Sequence, residues 1–119
     1  MTTIDLKDAL ALRTLAGSSV MESEPTARTV DGCYIGDLLS WVMGRAQENN
    51  IWLTVMGNVN AIAVAKLADL SCIVLCEGST LDKEAKVQAD ANGIPVFSTE
   101  VPLYETALAV QAFLAQNEA

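Results

Sequence analysis

The sequence contains no histidine. That absence removes the Ser-His-Asp and Cys-His nucleophile systems and the commonest general base. Cysteine is sparse: Cys33, Cys72 and Cys76 are odd in number and form no CxxC pair. Without histidine, a structural zinc site would need unusual ligands, so the expectation is three reduced core thiols. Positive charge is also scarce. Lys and Arg total 7 against 15 Asp and Glu, a net charge of −8. The basic residues are scattered from Lys7 to Lys86, and only Lys83 and Lys86 are close neighbours. Nucleic-acid backbones and anionic membrane surfaces both require clustered cations, so neither is an expected partner.

Long hydrophobic runs are missing as well. The most apolar stretch, residues 51–76, is interrupted by Asn58, Asn60, Lys66 and Asp69. It falls well short of the ~20 continuous apolar residues of a membrane span. Asp5 and Asp8 stand where a secretory signal would be basic and then apolar. A cytoplasmic protein is the expectation.

Glycine is present but wrongly spaced for phosphate cradles. The glycines at 17, 32, 36, 44, 57, 78 and 93 satisfy neither GxxxxGK[ST] nor GxGxxG. Nothing else calls for a cofactor.

What is present is an apolar chain of 119 residues, 51% hydrophobic and 18% charged. This length suits one domain, residues 1–119, that buries about two-thirds of its extended surface. The apolar surplus leaves hydrophobic surface available for a partner.

The pattern alternates helices and strands. Thr2 or Thr3 caps a helix over residues 4–12, with Leu6, Ala9 and Leu10 toward the core. A short strand follows at 13–16 and is broken by Gly17-Ser18-Ser19; residues 20–27 read as a loop or strand-like edge. Strand 29–35 leads to a helix over 38–46 with a stripe of Leu38, Leu39, Val42 and Met43. Strand 51–56 is followed by helix 59–70, strand 72–76 by helix 82–91 with its Asn92-Gly93 stop, and strand 95–97 by a last helix with Pro102 in its first turn. Leu103, Ala107, Val110 and Leu114 share one face of that helix. Strands separated by helices imply an α/β fold: a mostly parallel sheet of four to five strands covered on both faces.

Ligands of such sheets bind beyond the carboxyl ends of the strands, where helix N-termini point. Four junctions occupy that rim: Gly36-Asp37, Gly57-Asn58 with Asn60, Glu77-Gly78-Ser79-Thr80, and Ser98-Thr99-Glu100. They form a candidate site for a small anionic ligand or nucleotide. The same residues are ordinary caps and turns. Asp37, Glu77 and Glu100 could also converge to hold Mg²⁺ for carboxylate-based catalysis. Cys76 beside Glu77 is a poor nucleophile, because a carboxylate disfavours the thiolate. Trp41 and Arg45 stand at helical i, i+4 spacing off the main stripe and are candidate interface anchors. The alanines of the last helix (Ala107, Ala109, Ala112, Ala115) permit close packing within the fold or against a second copy.

The run from Ala27 to Met43 (ARTVDGCYIGDLLSWVM) resembles the DRTGG domain signature, in which an Arg-Thr stretch enters a strand and Gly-Asp-Leu-Leu-Ser opens a helix. Trp52-Leu53-Thr54-Val55, Cys72-Ile73-Val74-Leu75 with Glu77-Gly78, and Gly93-Ile94-Pro95-Val96-Phe97-Ser98 extend the likeness over nearly the whole chain. Ala27 replaces the motif's aspartate, and Val30-Asp31-Gly32 replaces its Thr-Gly-Gly end. The resemblance implies a three-layer α/β sandwich like the N-terminal domain of HPr kinase/phosphorylase. Similar domains sit within phosphate acetyltransferases and CBS-domain pyrophosphatases. It implies a non-catalytic, regulatory or protein-interaction role, a homodimer, and a partner in redox or energy metabolism, hydrogenase systems included. It supplies no binding residues.

Overall fold

The computed structural model describes residues 1–17 and 28–116. The segment 20–27 expected as a loop or edge lies outside the described residues.

Helix α1 (Thr3–Leu10) opens on a reciprocal cap: the Thr2 hydroxyl accepts from the Asp5 amide, and the Asp5 carboxylate accepts from the Thr2 amide at 2.9 Å. Leu6 is fully buried beneath it, whereas Ala9 faces solvent, against expectation. Strand β1 (Arg13–Ala16) follows. Strand β2 (Gly32–Ile35) begins three residues later than its β-pattern suggests. Residues 28–30 are diverted to the N-terminus: the Thr3 amide donates to the Arg28 carbonyl, and the Val30 amide to the Met1 carbonyl. Then come α2 (Leu39–Arg45), β3 (Asn50–Thr54), α3 (Val59–Leu67), β4 (Cys72–Leu75), α4 (Lys83–Asn92), β5 (Val96–Ser98) and α5 (Leu103–Ala115).

The strands form one sheet in the order β1-β5-β4-β3-β2. Strands β2 to β5 are parallel, and β1 runs antiparallel to β5 at the edge. Strand β4 is central, and each of its residues is 1% exposed or less, so an unbroken apolar run suits it. One core layer packs Trp52, Ile73, Leu75 and Val96 against Val42 of α2, Ala61 and Ala65 of α3, and Ala85 and Ala89 of α4. The other packs Ile51, Leu53, Val74 and Phe97 against Leu6 of α1 and Val110 and Phe113 of α5. The result is the expected three-layer α/β sandwich with helices on both faces.

Two helix expectations change. Only Val42 of α2 is fully buried; Leu39 packs on the core, while Leu38 and Met43 are exposed. A helix of seven residues at the sheet edge meets the core along one narrow line. Pro102 is the N-cap of α5 and lies just outside its first turn. Gly93 ends α4 in the left-handed region (φ 64°), as its position after Asn92 predicts.

Candidate functional site

The turns after the parallel strands gather at one end of the sheet. The turn after β4 is the sharpest: Glu77 (φ 60°) and Gly78 (φ 70°) are both left-handed. A side chain on Gly78 would meet the Glu100 carboxylate at 2.6 Å. The turn after β3 lies directly on the turn after β4. A side chain on Gly57 would collide with the Thr80 carbonyl, and the Asp82 amide donates to the Gly57 carbonyl at 2.8 Å. Glycine at 57 and 78 thus permits close approach of three loops.

Two adjoining clefts result. The larger, about 740 Å³, lies over the end of β5 and the start of β1 and is lined by Gly78, Ser79, Thr80, Ser98, Thr99 and Glu100, with Arg13 and Lys86. The smaller, about 470 Å³, is lined by Gly57, Asn58, Gly78, Ser79, Thr80 and Asp82. Seven of the predicted rim residues therefore come together: Gly57, Asn58, Gly78, Ser79, Thr80, Ser98 and Thr99.

The other four line neither cleft, and three of them have structural tasks. The Gly36 carbonyl accepts from Trp52 Nε1 at 2.9 Å. Asp37 does not cap α2, whose N-cap is Leu38 without a side-chain bond. Its carboxylate accepts from the Thr54 hydroxyl at 2.5 Å and the Val55 amide at 3.1 Å, joining the ends of β2 and β3. Asn60 is exposed in the first turn of α3. The Glu77 carboxylate accepts from the Leu103 amide at 3.2 Å and so caps α5. Asp37, Glu77 and Glu100 are thus held by separate partners or loops. Among the described residues no three acids, histidines or cysteines are grouped to hold a metal ion.

Within the clefts several polar groups are already engaged. Asn58 caps α3 through the Ala61 amide at 2.9 Å. The Ser79 hydroxyl donates to the Cys76 carbonyl, and the Thr99 hydroxyl accepts from the Val101 amide. Thr80 and Thr99 do not cap the helices that follow them; Asp82 and Pro102 hold those positions.

Sequence reasoning missed the cations. No basic residue was expected at the rim, yet Arg13 and Lys86 line the larger cleft. Arg13 arrives there because β1 is antiparallel to β5, so the start of β1 lies beside the end of β5, with Arg13 opposite Ser98. Nothing in the alternation of helices and strands signals that reversal.

The cysteines are free thiols. Burial pushes Cys33 and Cys72 up to about 12, and burial first, then the Glu77 and Asp37 charges, raises Cys76. For Cys33 and Cys72 the thiolate fraction at pH 8 is about a thousandfold below that of an ordinary thiol. Maleimide labelling at pH 8 should be slow at all three in native protein and rapid in urea. Fast native labelling of Cys72 would contradict the packing.

At the opposite edge of the sheet, Trp41 is 52% exposed with the Arg45 guanidinium 3.8 Å from its ring centroid. Leu38 (56%) and Ile35 (49%) are exposed beside it in the chain. Trp52, in contrast, is wholly buried.

No family model matches the chain. No curated protein matches it either. Among solved structures, it is similar to the CBS and DRTGG domains of the regulatory region of a Clostridium perfringens pyrophosphatase, complexed with the activator diadenosine tetraphosphate. The TM-score is 0.69 at 14% identity, over 92% of this chain and 45% of that one. The chain thus spans less than half the length of that structure. The likeness supports a DRTGG-like fold. No helix among the described residues is long and apolar enough to cross a membrane.

Proposed function

We propose that the chain is a non-catalytic regulatory domain of the DRTGG family that acts by recognition and pairs with a second copy of itself through the β2–α2 edge. The observation that carries this reading is the undefended character of that edge. Strand β2 (Gly-Cys-Tyr-Ile) pairs only with β3 among the described residues and has no charge, proline or bulge along it. Natural edges are commonly blunted by such features. The opposite edge is: β1 starts with Arg13 and its register shifts between Thr14 and Ala16. Beside β2 stand exposed Ile35, Leu38 and the Trp41–Arg45 pair, a composition typical of interface anchors. An edge strand placed on a two-fold axis pairs antiparallel with itself, so the undefended edge closes a dimer and leaves only the blunted β1 edges at its two ends. The free, largely buried thiols support a cytoplasmic setting. The lack of histidine supports a role without turnover, in which a partner enzyme of redox or energy metabolism is controlled.

Trp41 fluorescence tests the pairing. Trp52 is at 0% exposure, so a change of emission on dilution reports Trp41. Dilution through the micromolar range should red-shift the emission, and Trp41→Ala should lose the shift and sediment as a monomer. Emission independent of concentration, with Trp41→Ala sedimenting like the parent, would refute it.

A second reading, a sensor for a small ligand at the strand ends, is favoured by the 740 Å³ cleft with its two cations. The structural neighbour carries a nucleotide activator, which agrees with ligand control of such regions.

A further inference from the structure

Resting on that sensor reading, we infer that the larger cleft takes an organic oxyanion with an aliphatic body, a carboxylate or phosphate monoester, and that it disfavours nucleotides. The first ground is charge. The whole chain has 15 acids to 7 bases, but among the described residues the cleft lining reverses the balance, with Arg13 and Lys86 against Glu100. Among the described residues Arg13 has no ion-pair partner. Lys86 is shared, since its ammonium lies 2.9 Å from Asp90. That carboxylate is also drawn to the Gly17 amide at 2.8 Å, which holds it toward the base of β1. Arg13 is therefore the group with unspent donors, in a planar fork suited to carboxylate or phosphate.

The second ground is placement. Arg13 stands opposite Ser98 in the β1–β5 register, and such cross-strand neighbours lie about 5 Å apart. A guanidinium and a hydroxyl donor are thus presented side by side at the cleft. The third ground is the wall. Leu10, Leu15, Leu81 and Val101 line the same space, and among the described residues no Phe, Tyr or Trp does. Nucleobase sites commonly rely on aromatic stacking, whereas an alkyl body needs only apolar contact. A volume of about 740 Å³ lies within the usual range for small-molecule sites.

The test is isothermal titration of the full chain with hexanoate, butyl phosphate, inorganic phosphate and adenosine monophosphate, repeated on Arg13→Gln and on Leu81→Asn. Hexanoate or butyl phosphate should bind more tightly than inorganic phosphate or adenosine monophosphate; whichever of the two binds identifies the head group. Arg13→Gln should weaken that binding about tenfold or more, as expected for loss of a charge-assisted contact. Leu81→Asn should weaken the alkyl ligands and leave inorganic phosphate unchanged. Arg13 is exposed, so its variant should keep the parent circular dichroism spectrum. Adenosine monophosphate binding through Arg13 while the alkyl anions fail would overturn the ligand class and leave the sensor reading standing. Binding of none of the four would overturn both. Alkyl-anion binding indifferent to Arg13 would overturn the site.

Discussion

Trp52→Ala should cost about 3–5 kcal/mol, measured by urea denaturation. Trp52 is the largest fully buried side chain and lies on β3 in the core layer beneath α2, α3 and α4. Truncation empties that space and also orphans the Gly36 carbonyl, which accepts from the indole. A domain of this kind holds about 5–15 kcal/mol in total, so the loss is a large share of its stability. Trp52→Phe separates the two contributions. It keeps most of the packing and loses the hydrogen bond, so about 1–3 kcal/mol is expected. Equal losses for both variants would mean that packing matters little at this position.

Gly57→Val should rank next. Any side chain here meets backbone, the Thr80 carbonyl and the Leu81 Cα, which cannot rotate away. The turns after β3 and β4 must separate, breaking the Asp82-to-Gly57 hydrogen bond. Overpacking of this sort costs about 1–3 kcal/mol. Because Thr80 and Leu81 also line the larger cleft, the variant should lose ligand binding as well. Gly44 supplies the control, since an added Cβ there meets nothing within 4 Å and Gly44→Ala should be neutral or stabilising. If Gly57→Val unfolds with the parent midpoint, the two turns are not in contact in solution.

The three-layer architecture was legible because its signals are local and strong. Cys72 to Leu75 reads as a strand buried on both faces, and the Gly93 stop and the Asn58 cap act within a few residues of themselves. The orientation of β1 was not legible. A four-residue strand carries no mark of its partner, and the antiparallel edge alone brings Arg13 to the cleft. The rim was half legible for the same reason. Gly57, Gly78 and Thr80 converge because each follows a parallel strand, and such strand ends always share one end of a sheet. Asp37 and Glu77 sit on the same turns, but their side chains are drawn to Thr54 and to the Leu103 amide. Competition among nearby donors is settled only by three-dimensional placement. Burial on α2 was misjudged because the short edge helix exposes two of the four residues on its apolar stripe, Leu38 and Met43. Those exposed side chains, with Trp41, are what a recognition surface requires.

Light scattering of the purified chain at micromolar concentration tests the central claim most directly. The account predicts a mass of twice the 12.6 kDa chain, falling to one chain when Trp41 is replaced by alanine. A single 12.6 kDa species at every concentration, unaltered by that replacement, would contradict it.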